Sequence, residues 1–458
     1  MRIILLLLTV LIPLSGLSAS LSAPVRASAL PGVVAPTLTR QLADDSEVIV
    51  VLDPGTDPLA AAAEMGASVT HVYHRVFTGF AGTVPSETLS AARTLPTVQE
   101  IVADGKVRAE TQVLATGVRR IDVPVTPDGE HLAIASPVDA DIAILDTGVT
   151  PLSDLNVVGG KRCVNAKSKK EQHKTKKRHK HGGQGKRHHK RQNGHTRNKK
   201  ASWVDNNVHG THIAGIAAAR DNDEDVAGVA PGARIWAVKV LDRNAEGTIS
   251  DVICGLDWVV KHKKTIDVVN LSLSSAGRAG TCKTSPLHRA VCQTVNAGIP
   301  VVVAAGNQAS DASTRVPAAY DEVITVAAMS DTDGKPGGLG PESCSRNADD
   351  TFASFSNFGP AVDITAPGDC ILSLTPSGEL EEFSGTSVSA PHVTGAAARF
   401  IAAYVAEQGK RPTPAQTKDW LLTQAARPQN SADGFTGDPD GTAEPMLWLP
   451  DALALPSK

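Results

Sequence analysis

Residues 383–400 read FSGTSVSAPHVTGAAARF, a turn of small residues that runs directly into a predicted helix. Ser387 lies at the join, where unpaired backbone N–H groups and the positive end of the helix dipole stabilise negative charge. Gly385 lets another backbone or a substrate approach closely. Apolar residues then recur at helical spacing and predict one buried face: Val393, Ala396, Ala397 and Phe400. Alone, such a serine would be interpreted as a helix N-cap.

Two stretches upstream supply the partners that a serine nucleophile needs. Residues 140–150 read ADIAILDTGVT, a short apolar strand that ends at Asp146. Residues 209–215 read HGTHIAG, which puts His209 at a predicted helix start. In such a set the imidazole takes the serine proton and the carboxylate fixes the imidazole tautomer. The order Asp146, His209, Ser387 is one of the chain orders known for this chemistry.

Together the three motifs resemble the active-site motifs of the subtilisin-like (subtilase) serine peptidases. The resemblance implies a serine endopeptidase with Ser387 as nucleophile, His209 as general base and then acid, and Asp146 as the residue that orients the histidine. A serine hydrolase of the GxSxG type is excluded, because the nucleophile motif reads GTSVSAP. The rival interpretation is a catalytically silent subtilase-like domain that binds anionic surfaces.

The run AAGN adds Asn307 as a catalytic candidate. An asparagine after glycine is usually a turn residue, but the run resembles the subtilase motif whose asparagine donates its amide to the oxyanion. The run LSLS resembles the substrate-binding strand of the family, which implies four substrate-binding residues: Leu271, Ser272, Leu273 and Ser274. The family often has glycine at the position of Ser274, so we expect a narrower specificity pocket.

From about residue 111 onward, apolar runs alternate with helical segments. The runs cover residues 142–145, 235–240, 268–273, 299–305 and 323–328. Continuous apolar runs separated by helices favour a mostly parallel sheet covered by helices on both faces, with the site at the carboxyl ends of the strands. We therefore predict an α/β catalytic domain over residues 111–458. Near its end, Thr413 and Pro414 predict a helix to about Ala426.

Residues 1–23 have the pattern of a secretory signal peptide. Arg2 precedes an apolar run that is too short to span a membrane, and cleavage after Ala19, Ala23 or Ala29 would fit. We therefore expect a secreted, extracellular protein without a membrane span.

Residues 46–104 predict a small domain with the order β-α-β-β-α-β. Such a unit could be any small binding module, but TGFAGTV at residues 78–84, placed before a protease domain, resembles the inhibitory propeptide of secreted subtilases. The resemblance implies a ferredoxin-like α+β propeptide over residues 24–110 that assists folding, fills the cleft with its C-terminal tail and is cut off near residues 109–113. The expected partners are peptide or protein substrates and this propeptide, and we expect a monomer.

An acidic loop, RDNDEDV at residues 220–226, suggests a calcium site, since hard cations bind carboxylate, amide and carbonyl oxygens. By composition alone it would be a solvated loop. It matches the calcium loop of subtilisins in length, and Asp154 in LSDL matches the aspartate that reaches the same ion. The resemblance implies that Ca²⁺ is bound by the side chains of Asp154 and Asn222 and by three backbone carbonyls, those of Arg220, Glu224 and Val226.

Residues 161–200 form a basic insertion between Asp146 and His209. They contain 17 Lys and Arg, six His and one Glu, whereas the rest of the chain has 28 basic and 47 acidic residues, so the formal net charge of −3 conceals a strong split. This composition cannot form a core. The insertion either binds polyanions or is a solvated segment open to proteolysis.

Six cysteines in an exported chain predict three disulfides, and fifteen pairings are possible. The natural sequence neighbours are Cys282 with Cys292 and Cys344 with Cys370, which leaves Cys163 with Cys254.

Overall fold

The structure, a computed structural model, describes residues 46–109, 117–121, 137–164, 201–222 and 225–449. The expected signal peptide, residues 1–23, and residues 165–200 of the basic insertion lie outside the described residues. Within the described ranges, no helix is both long and apolar enough to cross a membrane.

The N-terminal part is a small α+β unit with an antiparallel sheet in the order β2-β3-β1-β4. Its elements are β1 (Ser46–Leu52), α1 (Pro58–Glu64), β2 (Ser68–Tyr73), β3 (Thr78–Val84), α2 (Ser86–Ala92) and β4 (Val98–Ala103). The carboxylate of Asp57 accepts the backbone N–H of Leu59 at 2.9 Å and so caps α1. The predicted β-α-β-β-α-β order is confirmed.

The second part is larger and alternates strands with helices. Its strands are β5 (Lys106–Ala109), β6 (Asp141–Asp146), β7 (Val157–Arg162), β8 (Arg234–Lys239), β9 (Glu246–Thr248), β10 (Val268–Leu271), β11 (Leu273–Ala276), β12 (Val301–Ala304), β13 (Arg315–Val316), β14 (Ile324–Ser330), β15 (Thr351–Phe352), β16 (Ile364–Asp369), β17 (Ile371–Leu374), β18 (Leu380–Phe383), β19 (Ala426–Arg427) and β20 (Met446–Leu447). Its helices are α3 (His209–Ala218), α4 (Ile249–Lys261), α5 (Pro286–Asn296), α6 (Thr386–Gln408) and α7 (Pro414–Thr423).

A mostly parallel sheet forms the centre, with ten strands in the described part of the chain and the order β19-β20-β16-β14-β12-β10-β6-β8-β7, β15 pairing beside β14. The pairs made by β15 with β14 and by β19 with β20 are antiparallel. One apolar core joins the sheet to α3, α6 and α7, and another joins it to α4 and α5. The predicted parallel sheet with helices on both faces is confirmed.

The two parts share a core. The apolar cluster under α4 and α5 also contains residues of the small N-terminal unit, among them Ile49, Tyr73 and Phe77. Phe77 and Tyr73 lie with their ring centroids 5.0 Å apart. The small unit therefore packs on the α4 and α5 side of the larger one.

Several predicted boundaries need correction. The run 268–273 is two strands rather than one, because the chain leaves the central sheet at Ser272. The last helix ends at Thr423 rather than Ala426, since Ala426 already pairs with Leu447 in the sheet. Helix α6 is buried on every side from Thr386 to Ile401, whereas the sequence predicted burial of one face only.

Three disulfides join the six cysteines: Cys163–Cys254, Cys282–Cys292 and Cys344–Cys370. The pairing favoured by sequence neighbourhood is confirmed. Cys163 follows β7 directly, so residues 161–164 belong to the folded domain rather than to the basic insertion.

Candidate active site

Asp146 and His209 are brought together by the first strand of the central sheet and the first turn of α3. Asp146 is the last residue of β6, and both its carboxylate oxygens face His209 Nδ1, at 2.8 and 2.9 Å. Both residues are buried. A carboxylate bound to Nδ1 fixes the tautomer that carries its proton on Nδ1. The ring nitrogen Nε2 is then the basic one.

Asp205 fixes the two motifs to each other. One of its oxygens accepts the hydroxyl of Thr147 at 2.9 Å, and the other accepts the hydroxyl of Thr211 at 2.7 Å and its backbone N–H at 3.1 Å. Burial raises the pKa of Asp205, and the hydrogen bonds from Thr211, Asn207 and Thr147 oppose that rise. The sequence reasoning missed this residue, whose signal was its place four residues before His209 in VDNNVHGTH.

Gly210 makes the close approach of α3 to the DTG turn possible. Its backbone N–H donates to the Thr147 hydroxyl at 2.9 Å. A Cβ at this position would collide with the carbonyl oxygen of Gly148 and would lie 3.1 Å from the Asp146 side chain. The glycine of HGTH is therefore needed for the contact between Asp146 and His209.

The second histidine of the motif, His212, is a packing residue between α3 and the β17–β18 hairpin. Its Nε2 lies 3.0 Å from the carbonyl oxygen of Glu381, and its ring lies 4.4 Å from that of Phe383. Burial lowers the pKa of His212 to about 3. His212 therefore packs α3 against the β17–β18 hairpin as a neutral side chain.

Asn307 is held beside Ser387 by hydrogen bonds to the preceding residue, Thr386. The amide oxygen of Asn307 accepts the backbone N–H of Thr386 at 2.8 Å and its hydroxyl at 2.9 Å. These bonds orient the amide, so that its Nδ2 points away from Thr386. Among the described residues, neither Asn307 Nδ2 nor Ser387 Oγ has a hydrogen-bond partner. The Asn307 amide is thus available to donate to an oxyanion. Ser387 Oγ makes no hydrogen bond to the His209 imidazole in this structure, although a serine nucleophile needs its base within hydrogen-bond reach.

Gly385 opens helix α6 in a conformation that favours glycine, with φ 149°. Its N–H donates to the carbonyl oxygen of Gly368 at 2.7 Å, which joins the turn to β16. Ser387 is the second residue of α6 and follows the N-cap Gly385, so the predicted helix start and the predicted position of the serine are confirmed.

A buried polar chain connects Ser387 to the predicted substrate strand. The hydroxyl of Ser272 donates to the Ser387 carbonyl oxygen at 2.6 Å and accepts the amide of Asn270 at 2.9 Å. Thr394, also on α6, donates to Asn270 at 2.9 Å. Ser272 therefore leaves the strand and positions helix α6, while Leu273 and Ser274 continue into β11.

Strand β5 lies between β11 and β9 and pairs antiparallel with both. Leu273 and Ser274 pair with Ala109 and Arg108, and on the other side Gly247 pairs with Val107. The slot between β9 and β11 thus holds an extended chain by backbone hydrogen bonds on both edges. Of the four predicted substrate residues, Leu273 and Ser274 lie at this slot and Leu271 lies in the central sheet. Sequence reasoning missed the β9 edge.

The predicted calcium loop lies against Asp154. The backbone N–H of Arg220 donates to the carbonyl oxygen of Asp154 at 3.0 Å, and Arg220 Nε donates to that of Ser153 at 3.1 Å. The Asp154 side chain is buried, and Glu224 lies outside the described residues. Carboxylate, amide and carbonyl oxygens are the ligands that calcium prefers. The donor set therefore fits Ca²⁺.

Comparison with known proteins gives the family of each part of the chain. Residues 139–440 match the subtilase family (Peptidase S8), and residues 42–110 match the peptidase inhibitor I9 family. An extracellular serine proteinase of Thermus sp. (strain Rt41A) is 35% identical over 79% of this chain and 74% of its own. Subtilisin E of Bacillus subtilis (strain 168) is 30% identical over 77% of this chain and 76% of its own.

A solved structure is similar as well. The crystal structure of a cold adapted subtilisin-like serine proteinase is 28% identical, matches with a TM-score of 0.51, and covers 73% of this chain and 98% of that one. The fold and these matches define a serine endopeptidase with an inhibitory propeptide domain. The chain belongs to the subtilase family.

Proposed function

We propose that this chain is a secreted proenzyme that processes itself and then hydrolyses peptide bonds through Asp146, His209 and Ser387. The contact of both Asp146 carboxylate oxygens with His209 Nδ1, at 2.8 and 2.9 Å, is the observation that carries the proposal. It leaves Nε2 as the basic nitrogen, as a general base for a serine requires.

In the proposed mechanism, Ser387 Oγ attacks the scissile carbonyl carbon while His209 Nε2 takes the hydroxyl proton. Asp146 accepts Nδ1–H throughout and stabilises the imidazolium. The negative charge that develops on the carbonyl oxygen is stabilised by Asn307 Nδ2 and by the N-terminus of α6. His209 then gives its proton to the leaving amine, and water repeats the sequence on the acyl enzyme.

The substrate is proposed to bind as β5 does, as an extended strand between β9 and β11. The residues that pair with it on the β11 side are Leu273 and Ser274. In the precursor the propeptide tail occupies this slot, which supports cleavage near residues 109–113 and inhibition by the cleaved propeptide. We assign the propeptide to residues 24–110 and the mature enzyme to the residues after it.

Calcium is proposed to support the mature fold. The side chains of Asp154 and Asn222 would hold the ion together with the carbonyl oxygens of Arg220, Glu224 and Val226. Bound there, it would fix the loop after α3, and so the helix that carries His209.

The basic insertion is proposed to bind polyanions as a separate property. Its charge, 15 Lys and Arg against one Glu over residues 165–200, supports this. It supplies no member of the catalytic set.

The test of the catalytic proposal is Ser387→Ala in the full precursor. Because an Ala side chain cannot attack a carbonyl, the variant should stay at precursor mass and leave casein uncut, as mass spectrometry and a casein assay would report. Ser389→Ala, two residues further along α6, is the matched control and should mature normally. Maturation of purified Ser387→Ala by itself would overturn the assignment, and an inactive, unprocessed parent would favour the catalytically silent domain.

A further inference from the structure

Three carboxylates converge in the segment that leads into β20, the last strand of the sheet. The segment reads TGDPDGTAEP over residues 436–445. Asp438, Asp440 and Glu444 each offer an oxygen, and these oxygens lie within 4.8 Å of one another. The positive φ angles of Gly437 and Gly441, 82° and 75°, fold the segment into this compact turn.

The ends of the segment are held in place. The carbonyl oxygen of Thr436 accepts the backbone N–H of Phe352 at 2.7 Å. The carbonyl oxygen of Pro445 accepts the backbone N–H of Thr365 at 2.8 Å. The backbone N–H of Glu444 donates to the side-chain amide oxygen of Gln429 at 3.0 Å. The three acids are therefore brought together by an anchored loop.

The Glu444 carboxylate has no hydrogen-bond partner among the described residues. The residue is 2% exposed, and within the described residues neither carboxylate oxygen accepts a hydrogen bond. Asp438 Oδ2 is likewise buried without a hydrogen-bond partner in that part of the chain. Burial of a carboxylate without donors is costly, and a second and third carboxylate nearby add repulsion. Burial and the charges of Asp438 and Asp440 raise the pKa of Glu444 to about 8.

In the described ranges, no side-chain cation forms an ion pair with the cluster. Residues 428–449 contain no Lys, Arg or His. Among the described residues, none of the three acids takes part in an ion pair, although other buried acids of the chain do, such as Asp350 with Arg120 at 2.7 Å. Within the part of the chain that the structure describes, the cluster therefore lacks a neutralising charge.

We propose that Asp438, Asp440 and Glu444 bind one Ca²⁺ ion. The ligands are oxygens only, which excludes the metals that prefer sulfur or imidazole. Two acids two residues apart, a glycine directly after them and a later glutamate follow the logic of acidic calcium loops, with a shorter spacing than in an EF-hand. This site is separate from the loop at Asp154. The ion would tie the final segment to the sheet.

The test counts bound ions on the full precursor carrying Ser387→Ala, which prevents self-cleavage. After removal of metal with EGTA and dialysis against 1 mM CaCl₂, about the level at which extracellular calcium sites fill, elemental analysis gives ions per chain. Glu444→Gln should bind one ion fewer than its parent, and the same loss should appear when Asp154→Asn is also present. Asp433→Asn, which changes an acid just before the segment and outside the cluster, is the matched control and should keep every ion.

A second variant and a second readout keep the proposal open to refutation. Asp440 is exposed, so Asp440→Asn should fold even if Glu444→Gln does not, and it too should lose one ion. In EGTA, Glu444→Gln should melt at a higher temperature than its parent because it removes repulsion, and calcium should raise its melting temperature by less. If both variants fold and bind as many ions as the parent, the cluster holds a shared proton instead and the proposal is wrong.

Discussion

The carboxylate of Asp104 accepts the backbone N–H of Ser250 at 2.8 Å, and this bond joins the end of the propeptide domain to the first turn of α4. The Ser250 hydroxyl donates to the same carboxylate. Beside it, the Tyr73 hydroxyl donates to the carbonyl oxygen of Ser250 at 2.9 Å, and His71 Nε2 lies 2.9 Å from Asp251. Polar contacts to the first turn of α4 thus hold the propeptide domain in place, in addition to the apolar contacts of the shared core.

Asp104 should make the stability of the precursor depend on pH. Burial raises the pKa of its carboxyl from 3.8 to about 6, although the Ser250 hydrogen bonds oppose the rise. Because the folded pKa is the higher one, this group's contribution to stability is full below pH 4 and is lost as the pH rises through about 6. Two pKa units correspond to a loss of up to about 3 kcal/mol.

The measurement is urea unfolding of the Ser387→Ala precursor between pH 4 and 7, with and without Asp104→Asn. The asparagine does not ionise, so its precursor should lose less stability over this window than the parent. Glu87→Gln changes an exposed propeptide acid and should follow the parent. Equal pH dependence of the parent and the Asp104 variant would contradict the prediction.

Asp205→Asn should lower kcat far more than it changes KM. One oxygen of Asp205 serves Thr147 and the other serves Thr211, and an amide can accept at only one of these positions. The imidazole should then be misplaced relative to Ser387, which costs about 100-fold in rate for a displacement of 1 Å. Single-turnover and steady-state kinetics on a peptide substrate would show this. A rise in KM with unchanged kcat would mean that Asp205 shapes the substrate slot instead.

Ser272→Ala should destabilise the folded precursor by about 1–3 kcal/mol, because it leaves two buried polar groups unpaired, the Ser387 carbonyl oxygen and the Asn270 amide. Urea unfolding of the Ser387→Ala precursor measures the loss. Ser431→Ala is the control, since its hydroxyl bonds the Pro428 carbonyl at the surface and should cost less than about 0.5 kcal/mol. An equal effect of both substitutions would remove the role given to Ser272.

The sequence singled out the candidate catalytic residues because each belongs to a short motif. Asp146 ends an apolar strand, His209 starts a helix, and Ser387 follows a glycine turn, so local patterns alone place them at element ends. The mostly parallel sheet was predicted from continuous apolar runs that are separated by helical segments. Both parts of this prediction depend on neighbours in the sequence.

The missed features depend on contacts between distant residues. Asp205 is a loop residue in sequence, and its role appears only when Thr147 and Thr211 converge on it. The break at Ser272 has no signal in an apolar run, because the hydroxyl acceptor is the Ser387 carbonyl on another element. The burial of α6 on all sides follows from its position between the central sheet and α3 and α7, which no periodicity within the helix reveals.

Removal of calcium should destabilise the precursor partly through Asp154. A ligand that binds only the native state adds about 2.7 kcal/mol at 100 times its Kd. Melting of the Ser387→Ala precursor with calcium and with EGTA should therefore differ, and the difference should shrink in Asp154→Asn. Asp433→Asn should keep the full difference. If Asp154→Asn responds to calcium as its parent does, the ion is not held by the loop at residues 220–226.

The segments on either side of the basic insertion contact each other in the folded domain, at Gly160 and Trp203. A Cβ at Gly160 in β7 would lie 2.7 Å from Cγ of Trp203, and Cys163 is fixed to α4 through Cys254. The chain therefore leaves and re-enters the domain at neighbouring points. A shorter connection should span them without moving His209.

Deletion of residues 167–200 should accordingly keep activity on a small neutral peptide and abolish binding to heparin. Binding by Lys and Arg releases counterions, so the parent's affinity should fall log-linearly with salt. At a Debye length of about 8 Å, the insertion should affect a neutral substrate only weakly. A full-length variant with the Lys and Arg of residues 174–191 changed to Gln separates the effect of the charge from that of the chain length. It should also lose heparin binding. Unchanged heparin affinity in both folded, active variants would leave the insertion as a solvated segment.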